Sequence, residues 1–118
     1  MTGRPRADGP LLVDGRDVGG VRVEVAATVA TRARGLLGRR GIDGAMLIAP
    51  CSSVHGLMMR FDLEVAYLDA DGRVLSVKPL PRWRMHGHQR GAAMVLEAEP
   101  GRLLRWGVRP GAVVGVGS

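Results

Sequence analysis

Short apolar segments separated by glycine-rich turns constrain the fold of this chain more than any other feature. Eighteen of its 118 residues are glycine, and the apolar runs between them are too short for ordinary helices. Runs of this length with turn residues every eight to twelve positions are typical of antiparallel β structure. The pattern therefore predicts a mainly β fold, a small antiparallel sandwich or partly closed barrel with one or two short helices. The predicted strands are 11–13, 21–25, 45–49, 65–68, 74–77, 92–98 and 112–116.

Two local patterns support individual strands. In VRVEV at 21–25, valine alternates with Arg22 and Glu24, which predicts a strand with one face in water. The sequence DGRDVGG at 14–20 predicts a turn-rich connection before it. Four turn-forming residues, Asp-Ala-Asp-Gly at 69–72, separate two apolar runs and predict a β-hairpin in which the acidic side chains bond nearby backbone amides.

A helical period is present in one place. Val29, Ala33, Leu36 and Leu37 are spaced as one buried helical stripe, which predicts a helix at 28–38. Residues 100–107 can hold one or two further helical turns. Residues 79–91 contain prolines, glycines and arginines without a period and predict a loop long enough to cover a site.

The length allows a single domain. We expect residues 1–10, rich in arginine, proline and glycine, to be a flexible lead and residues 11–118 to form the domain. Cys51 is the only cysteine, which favours a reducing compartment. No apolar run approaches the roughly 18 residues of a membrane-spanning helix, so we expect a cytoplasmic protein without a membrane partner.

The basic composition invites a nucleic-acid interpretation. The formal net charge is +6 and the pI about 11.2. However, the arginines are scattered from Arg4 to Arg109, only Lys78 is lysine, and the few aromatic residues do not form a base-stacking platform. Net charge alone concerns non-specific association. We therefore expect no specific nucleic-acid partner.

Three stretches resemble one known family. They are TVATRARGLLGRRGIDGAMLI at 28–48, PCSSVHGLMMRFDLEVAYLDADGRV at 50–74 and AAMVLEAEPGRLLRWGVRPGAVV at 92–114. Together, and in this order, they resemble the bacterial and archaeal family of domain of unknown function 192 (DUF192), over about residues 21–114. The resemblance implies a mainly β domain with a short helix near its start. It implies no established activity and supplies no catalytic residue.

The family pattern can be followed residue by residue. Its Arg-x-x-Gly-Leu element is matched from Arg32 to Leu36, and its histidine and methionine by His55 and Met59. Its Pro-x-Asp element is replaced by Asp62 and Glu64, so any function of that aspartate must tolerate a longer side chain. The Leu-Glu segment and the glycine after it are matched by Glu97 and Gly101.

Cys51 and His55 raise the question of a nucleophile and its base. If residues 51–55 are extended, the two side chains lie roughly 13 Å apart, too far for the hydrogen bond that such a dyad needs. Only a turn through the serines at 52 and 53 could bring them together. A buried, inert thiol is the commoner state of a free cysteine.

A metal site is the other chemical alternative. His86 and His88 flank a glycine, and His55, Cys51 and Glu97 are further donors that zinc accepts. The spacing matches no familiar metal-binding motif, and two histidines in an arginine-rich loop are usually solvated. We therefore expect neither a metal nor another cofactor.

The density of polar and reactive residue types at 50–62 supports a binding site instead. We expect a non-catalytic binding or accessory domain that takes a peptide or small molecule near this segment and under the 79–91 loop. The alternative is an enzyme, a Cys/His hydrolase or a metal-dependent enzyme, that uses Cys51, His55, His86 and His88. The oligomeric state stays open. The candidate ligand-binding residues are Arg32, Cys51, Ser53, His55, Met59, Arg60 and Glu64.

Overall fold

Nine strands and one short helix make up the part of the chain that the computed structural model describes, residues 7–26, 44–49, 54–55, 61–81, 85–86 and 89–118. The elements in chain order are β1 Gly9–Val13, β2 Arg16–Ala26, β3 Ala45–Ile48, β4 Val54–His55, β5 Leu63–Leu68, β6 Val74–Leu80, β7 Met85–His86, β8 Met94–Ala98, α1 Arg102–Arg105 and β9 Val114–Val116.

Seven of these strands form one sheet in the order β6-β5-β8-β3-β2-β1-β9. All neighbours are antiparallel except β2 and β3, which pair in parallel with Val23 opposite Ala45. Parallel strands need a crossover connection of a dozen or more residues, usually helical. The predicted helix at 28–38 falls in this connection but outside the described residues. The parallel pair is a feature that the strand pattern did not predict.

The two edges of the sheet meet at one end. Arg73, just before β6, forms an isolated antiparallel bridge with Val113, just before β9. Backbone bonds reinforce it, from Val74 N to Ala112 O at 2.8 Å and from Val114 N to Gly72 O at 2.8 Å. The sheet is thus a partly closed barrel, and the predicted mainly β fold class is confirmed.

The larger hydrophobic cluster fills the concave side of this barrel. It unites buried residues from both edges and the centre of the sheet, including Val74, Leu96 and Val114. Leu103 of α1 belongs to it and is fully buried. Two residues after α1, Gly107 has φ +82°, and Val108 N donates to Leu103 O at 2.8 Å. This is the arrangement of a helix terminated by a left-handed glycine.

A second cluster lies on the opposite side of the sheet, which we call the outer face. It comprises Ala26, Met46, Ile48, Leu63, Val65, Tyr67, Leu80 and Val95. Strands β3 and β8 are consequently buried on both faces. This explains why 45–49 is a continuous apolar run and 92–98 is apolar apart from Glu97, whereas the less buried β2 alternates.

Several boundaries differ from the sequence prediction. The connection predicted at 14–20 is only the two-residue turn Asp14–Gly15, both with positive φ, as in the tight hairpin turns that match strand twist. The sheet begins at Gly9 rather than Leu11, and Val25 N donates to the carboxylate of Asp8 at 2.8 Å. Strand β1 therefore includes residues 9 and 10, which the sequence analysis assigned to the N-terminal lead.

The predicted loop at 79–91 is also wrong at two places. Strand β6 continues through Pro79 to Leu80, and Met85–His86 is a strand. Proline fits in β6 because that strand is at the edge of the sheet, where a missing N–H on the open side breaks no ladder bond. In the described part of the chain, no helix is long and apolar enough to span a membrane.

Candidate functional site

The candidate segment and the predicted covering loop meet in a two-stranded ribbon formed by β4 and β7. Val54 pairs with His86, and His55 pairs with Met85, in antiparallel register. The same two chain segments also pair farther along, where Leu63 of β5 lies opposite Leu80 of β6. The ribbon, which we define as Val54–His55 and Met85–His86, is thus a second pairing of the two arms of this hairpin.

The arm that carries Met85 and His86 is held to the sheet at both ends. It leaves β6 after Leu80 and returns at Gln89. The Gln89 Oε1 atom accepts hydrogen bonds from Ser76 Oγ at 3.1 Å and from Lys78 Nζ at 3.5 Å. Ser76 and Lys78 both belong to β6, so this strand fixes the start and the end of the arm.

The predicted ligand-binding residues are only partly within the described chain. His55 is in β4 and Glu64 in β5. His86 lies in β7, paired with Val54 rather than with His55. The other candidates lie outside the described residues, so the separation of Cys51 from His55 stays a prediction. These residues are Arg32, Cys51, Ser53, Met59, Arg60 and His88.

Glu64 occupies a half-buried position between two strands. It lies opposite Pro79 of β6 and Ala98 of β8. Because side chains alternate along β5, Glu64 shares the concave face with Ala66 and Leu68. Its Oε1 atom is buried and has no hydrogen-bond partner among the described residues. Burying a polar atom without a partner is costly, which makes Glu64 a position of interest beyond simple packing.

Glu97 is the one buried charged residue in the described part of the chain, with no exposed surface. In β8 it lies between Met46 of β3 and Val65 of β5 and faces the outer cluster. Glu64 and Glu97 therefore lie on opposite faces of the sheet and cannot act as a carboxylate pair. The sequence analysis named Glu97 as a match to the family's Leu-Glu segment and as an additional metal ligand, and it missed the burial of this residue.

A register row across the outer face links Glu97 to other charges. From β2 to β6 the row reads Glu24, Met46, Glu97, Val65 and Lys78. Neighbouring strands are about 4.8 Å apart, so the backbones of Glu97 and Lys78 are about 10 Å apart. The exposed ammonium of Lys78 lies 5.8 Å from the centre of the buried Tyr67 ring, within cation–π range.

The prediction that the acidic side chains of the hairpin turn bond nearby backbone amides is confirmed for Asp69, whereas no such side-chain bond is seen for Asp71 among the described residues. The Asp69 Oδ1 atom accepts hydrogen bonds from the backbone N–H groups of Asp71 and Arg73, both at 2.9 Å. The Asp69 N–H in turn donates to Arg73 O at 2.9 Å. Asp71 takes part through its backbone. Among the described residues no group of three or more His, Cys, Asp or Glu is placed to hold a metal ion.

Comparison with known proteins gives the chain a family. A model of the DUF192 family, described only as an uncharacterized ACR, matches residues 12–116. The chain belongs to the DUF192 family. The match includes nearly all of the barrel and extends beyond the segment on which the resemblance was based.

Three curated relatives of this DUF192 protein are archaeal UPF0127 proteins. A UPF0127 protein of Thermococcus kodakarensis is 26% identical over 79% of this chain and 63% of the relative. A UPF0127 protein of Thermococcus gammatolerans is 30% identical over 78% of this chain and 64% of the relative. A UPF0127 protein of Pyrococcus horikoshii is 28% identical over 75% of this chain and 79% of the relative. This chain thus spans a little under two thirds of the length of each of the two Thermococcus relatives.

Two solved structures share the fold. One, from Sinorhizobium meliloti 1021 and described as a "putative transcription regulator", has a TM-score of 0.74 at 24% identity and covers 93% of this chain and 94% of that chain. The other is from Novosphingobium aromaticivorans and is described as a protein of unknown function. It has a TM-score of 0.70 at 24% identity and covers 90% of this chain and 83% of that chain. At this level of identity the likeness concerns the fold alone.

Proposed function

We propose that this DUF192 protein is a non-catalytic binding domain that takes a peptide or small molecule beside the ribbon. The observation that carries the proposal is the pairing of His55 with Met85. This pairing joins the segment richest in polar and reactive residue types to the arm predicted to cover it. Loops and short elements placed on a rigid scaffold are the usual location of binding residues.

The surroundings of the ribbon support a binding role. Ligand sites are mostly apolar, with a few polar groups that orient the ligand. Where the hairpin arms leave the sheet, the chain supplies the fully buried Leu63 and Leu80 and the half-buried Phe61. Glu64 follows Leu63 along the chain, and its buried Oε1 atom has no hydrogen-bond partner among the described residues. A scaffold function alone would not call for such a group.

The anchoring of the second arm supports a preformed rather than a folding-on-binding site. Ser76 and Lys78 hold Gln89, and Leu80 holds the opposite end. Both anchors belong to one strand of the barrel. A preformed site loses less conformational entropy when a ligand binds. We include a cytoplasmic location in this proposal, because a lone thiol fits a reducing compartment.

The test is a ligand screen on the ¹⁵N-labelled full chain in the presence of EDTA. Pools of random hexapeptides and of fragment-sized molecules are added, and the backbone amide shifts are followed. We expect a hit to shift the amides of Val54, His55, Met85 and His86. Duplex DNA is added as a separate arm, because a structure of the same fold is described as a "putative transcription regulator".

Affinity measurements on a hit then use a matched pair of variants. Arg60→Ala removes a proposed ligand-binding arginine, whereas Arg90→Ala removes an exposed arginine that we do not place in the site. We expect Arg60→Ala alone to weaken binding. The proposal is contradicted if no pool shifts the ribbon amides, if the shifts map elsewhere on the barrel, or if DNA alone binds.

A catalytic role for Cys51 would contradict the proposal in a different way. An activated cysteine reacts as a thiolate well below the pH at which a free thiol ionises. The rate of alkylation of Cys51 against pH should instead follow that of an ordinary free thiol. A reactive thiolate at low pH that disappears in His55→Ala would establish the Cys/His dyad.

A further inference from the structure

Glu64 is a buried acceptor without a donor in the part of the chain that the structure describes. The residue is half-buried, and its Oε1 atom is buried and has no hydrogen-bond partner among the described residues. An ionised carboxylate only accepts hydrogen bonds, so the missing partner must be a donor. The chain has 17 arginines and lysines against 11 aspartates and glutamates. A shortage of cationic side chains therefore does not explain the missing partner.

The positions beside Glu64 on the concave face carry no side-chain donor. Ala66 lies two residues along β5, Pro79 lies opposite on β6, and Ala98 lies opposite on β8. None of these three side chains has an N–H or O–H group. Burying a charged group is costly unless the group is paired and hydrogen-bonded. The donor that satisfies Glu64 must therefore reach it from outside this part of the sheet.

One side of Glu64 is open to an approaching ligand. Ala98 is fully buried, which closes the β8 side of the carboxylate. Pro79 is exposed, and its strand β6 is at the edge of the sheet. The terminal torsion of a glutamate is broad and roughly two-fold, so a rotation can turn Oε1 towards this open side. A ligand that arrives across β6 passes over the apolar proline ring before it meets the carboxylate.

These surroundings fit one type of ligand group. Arginine and lysine side chains combine an apolar stem with a charged head that donates hydrogen bonds. The stem can pack on Pro79 while the head donates to Glu64. Hydrogen bonds between such a head and a carboxylate are roughly twice as strong as those between neutral groups. An ammonium or guanidinium group thus supplies both the donor and the charge that Glu64 lacks.

We infer that the ligand of this domain is a peptide with a basic side chain, whose ammonium or guanidinium group donates to the Glu64 carboxylate. The inference rests on the proposed binding function and names the chemical class of its ligand. Glu64 is one position from the pair of Leu63 with Leu80, where both arms of the hairpin leave the sheet towards the ribbon. The carboxylate is therefore at the end of the sheet nearest to the ribbon along the chain.

The test uses pools of acetylated and amidated hexapeptides, identical except at one fixed position, added to the ¹⁵N-labelled full chain. The fixed residue is arginine, lysine or citrulline, whose urea group resembles a guanidinium but is uncharged. We expect the arginine and lysine pools to shift the amides of Glu64 and Ala98 together with those of the ribbon. The citrulline pool should bind about 10-fold more weakly than the arginine pool.

A matched pair of variants locates the acceptor. Glu64→Gln should weaken binding of the arginine pool by about 10- to 100-fold, because a hydrogen bond to a charged group is lost. Glu24→Gln makes the same change of charge at a half-buried position in β2, on the outer face of the sheet. Glu24→Gln should leave the affinity unchanged.

The stability of the free chain gives a second readout that needs no ligand. Glu64→Gln replaces the charge with a neutral amide of the same shape, which costs less to bury. The substitution should therefore raise the urea midpoint of unfolding, as expected for a binding residue that is retained at the expense of stability. An unchanged or lower midpoint would mean that the carboxylate is already satisfied within the chain, and it would overturn the inference.

The outcomes separate this inference from the proposed function. If no pool shifts the ribbon amides, the binding function fails, and the inference fails with it. If peptides shift the ribbon amides but the citrulline and arginine pools bind equally, only the inference fails. Equal binding of the arginine pool to the Glu64→Gln and Glu24→Gln variants would overturn the inference in the same way.

Discussion

Replacing Gly72 with alanine tests the closure of the barrel. Gly72 is buried in the hairpin turn with φ +90°, and its carbonyl oxygen accepts the bond from Val114 N. A Cβ atom built there would overlap the carbonyl oxygen of Val114, with the carbon of that carbonyl 3.4 Å away. The overlap is with backbone, so it cannot be relieved by turning a flexible side chain.

The expected loss of stability has two parts. Holding a residue other than glycine in the left-handed region costs about 1 to 2 kcal/mol. Moving the Val114 backbone away breaks its bond to Gly72, and each buried group left without a partner costs about 1 to 3 kcal/mol. Gly72→Ala should therefore lower the free energy of unfolding by about 2 to 5 kcal/mol.

Gly101→Ala is the matched control. Gly101 has φ +84°, but no atom outside its immediate neighbours lies within 4 Å of its added Cβ. Gly101→Ala should therefore lower the free energy of unfolding only by the cost of the left-handed backbone, about 1 to 2 kcal/mol. Urea unfolding followed by tryptophan fluorescence gives both values. Equal losses for the two variants would refute the contact with Val114, and with it the closure of the barrel at Gly72.

Two further predictions concern neighbouring residues with opposite environments. Leu103→Ala should lower the free energy of unfolding by about 2 to 5 kcal/mol, because Leu103 is fully buried. Leu104 is 72% exposed, so Leu104→Ala should change the free energy of unfolding by less than about 0.5 kcal/mol. Comparable urea midpoints for the two would contradict the placement of α1. Asp69→Ala should cost about 1 to 3 kcal/mol, because the amides of Asp71 and Arg73 lose their acceptor. Asp71→Ala should be close to neutral in the same assay, and the reverse order would refute the assigned turn.

Local chemistry explains which parts of the fold could be predicted. The hairpin between β5 and β6 follows from the turn residues at 69–72, β3 from an uninterrupted apolar run, and β8 from a run that is apolar apart from Glu97. The parallel pairing of β2 with β3 and the bridge between Arg73 and Val113 join distant positions. The period of an isolated strand contains no information about its partner, so neither contact could be read from the sequence.

The candidate site divides in the same way. The sequence left residues 51–55 either extended or turned through the serines, and the structure places His55 in strand β4. The pairing with Met85 was not expected, because residues 79–91 lack the alternation that marks a strand. The burial of Glu97 had one available signal, a single charge within the apolar run at 92–98. Charged residues are almost never fully buried unless paired, so the sequence alone favoured an exposed position.

The register of the ribbon is the feature on which the proposed binding function depends. The most direct measurement is the set of cross-strand nuclear Overhauser effects between backbone protons of 54–55 and 85–86 in the labelled full chain. The account predicts contacts between His55 and Met85 and between Val54 and His86. Absence of these contacts, or a register in which neither pair is opposite, would contradict it.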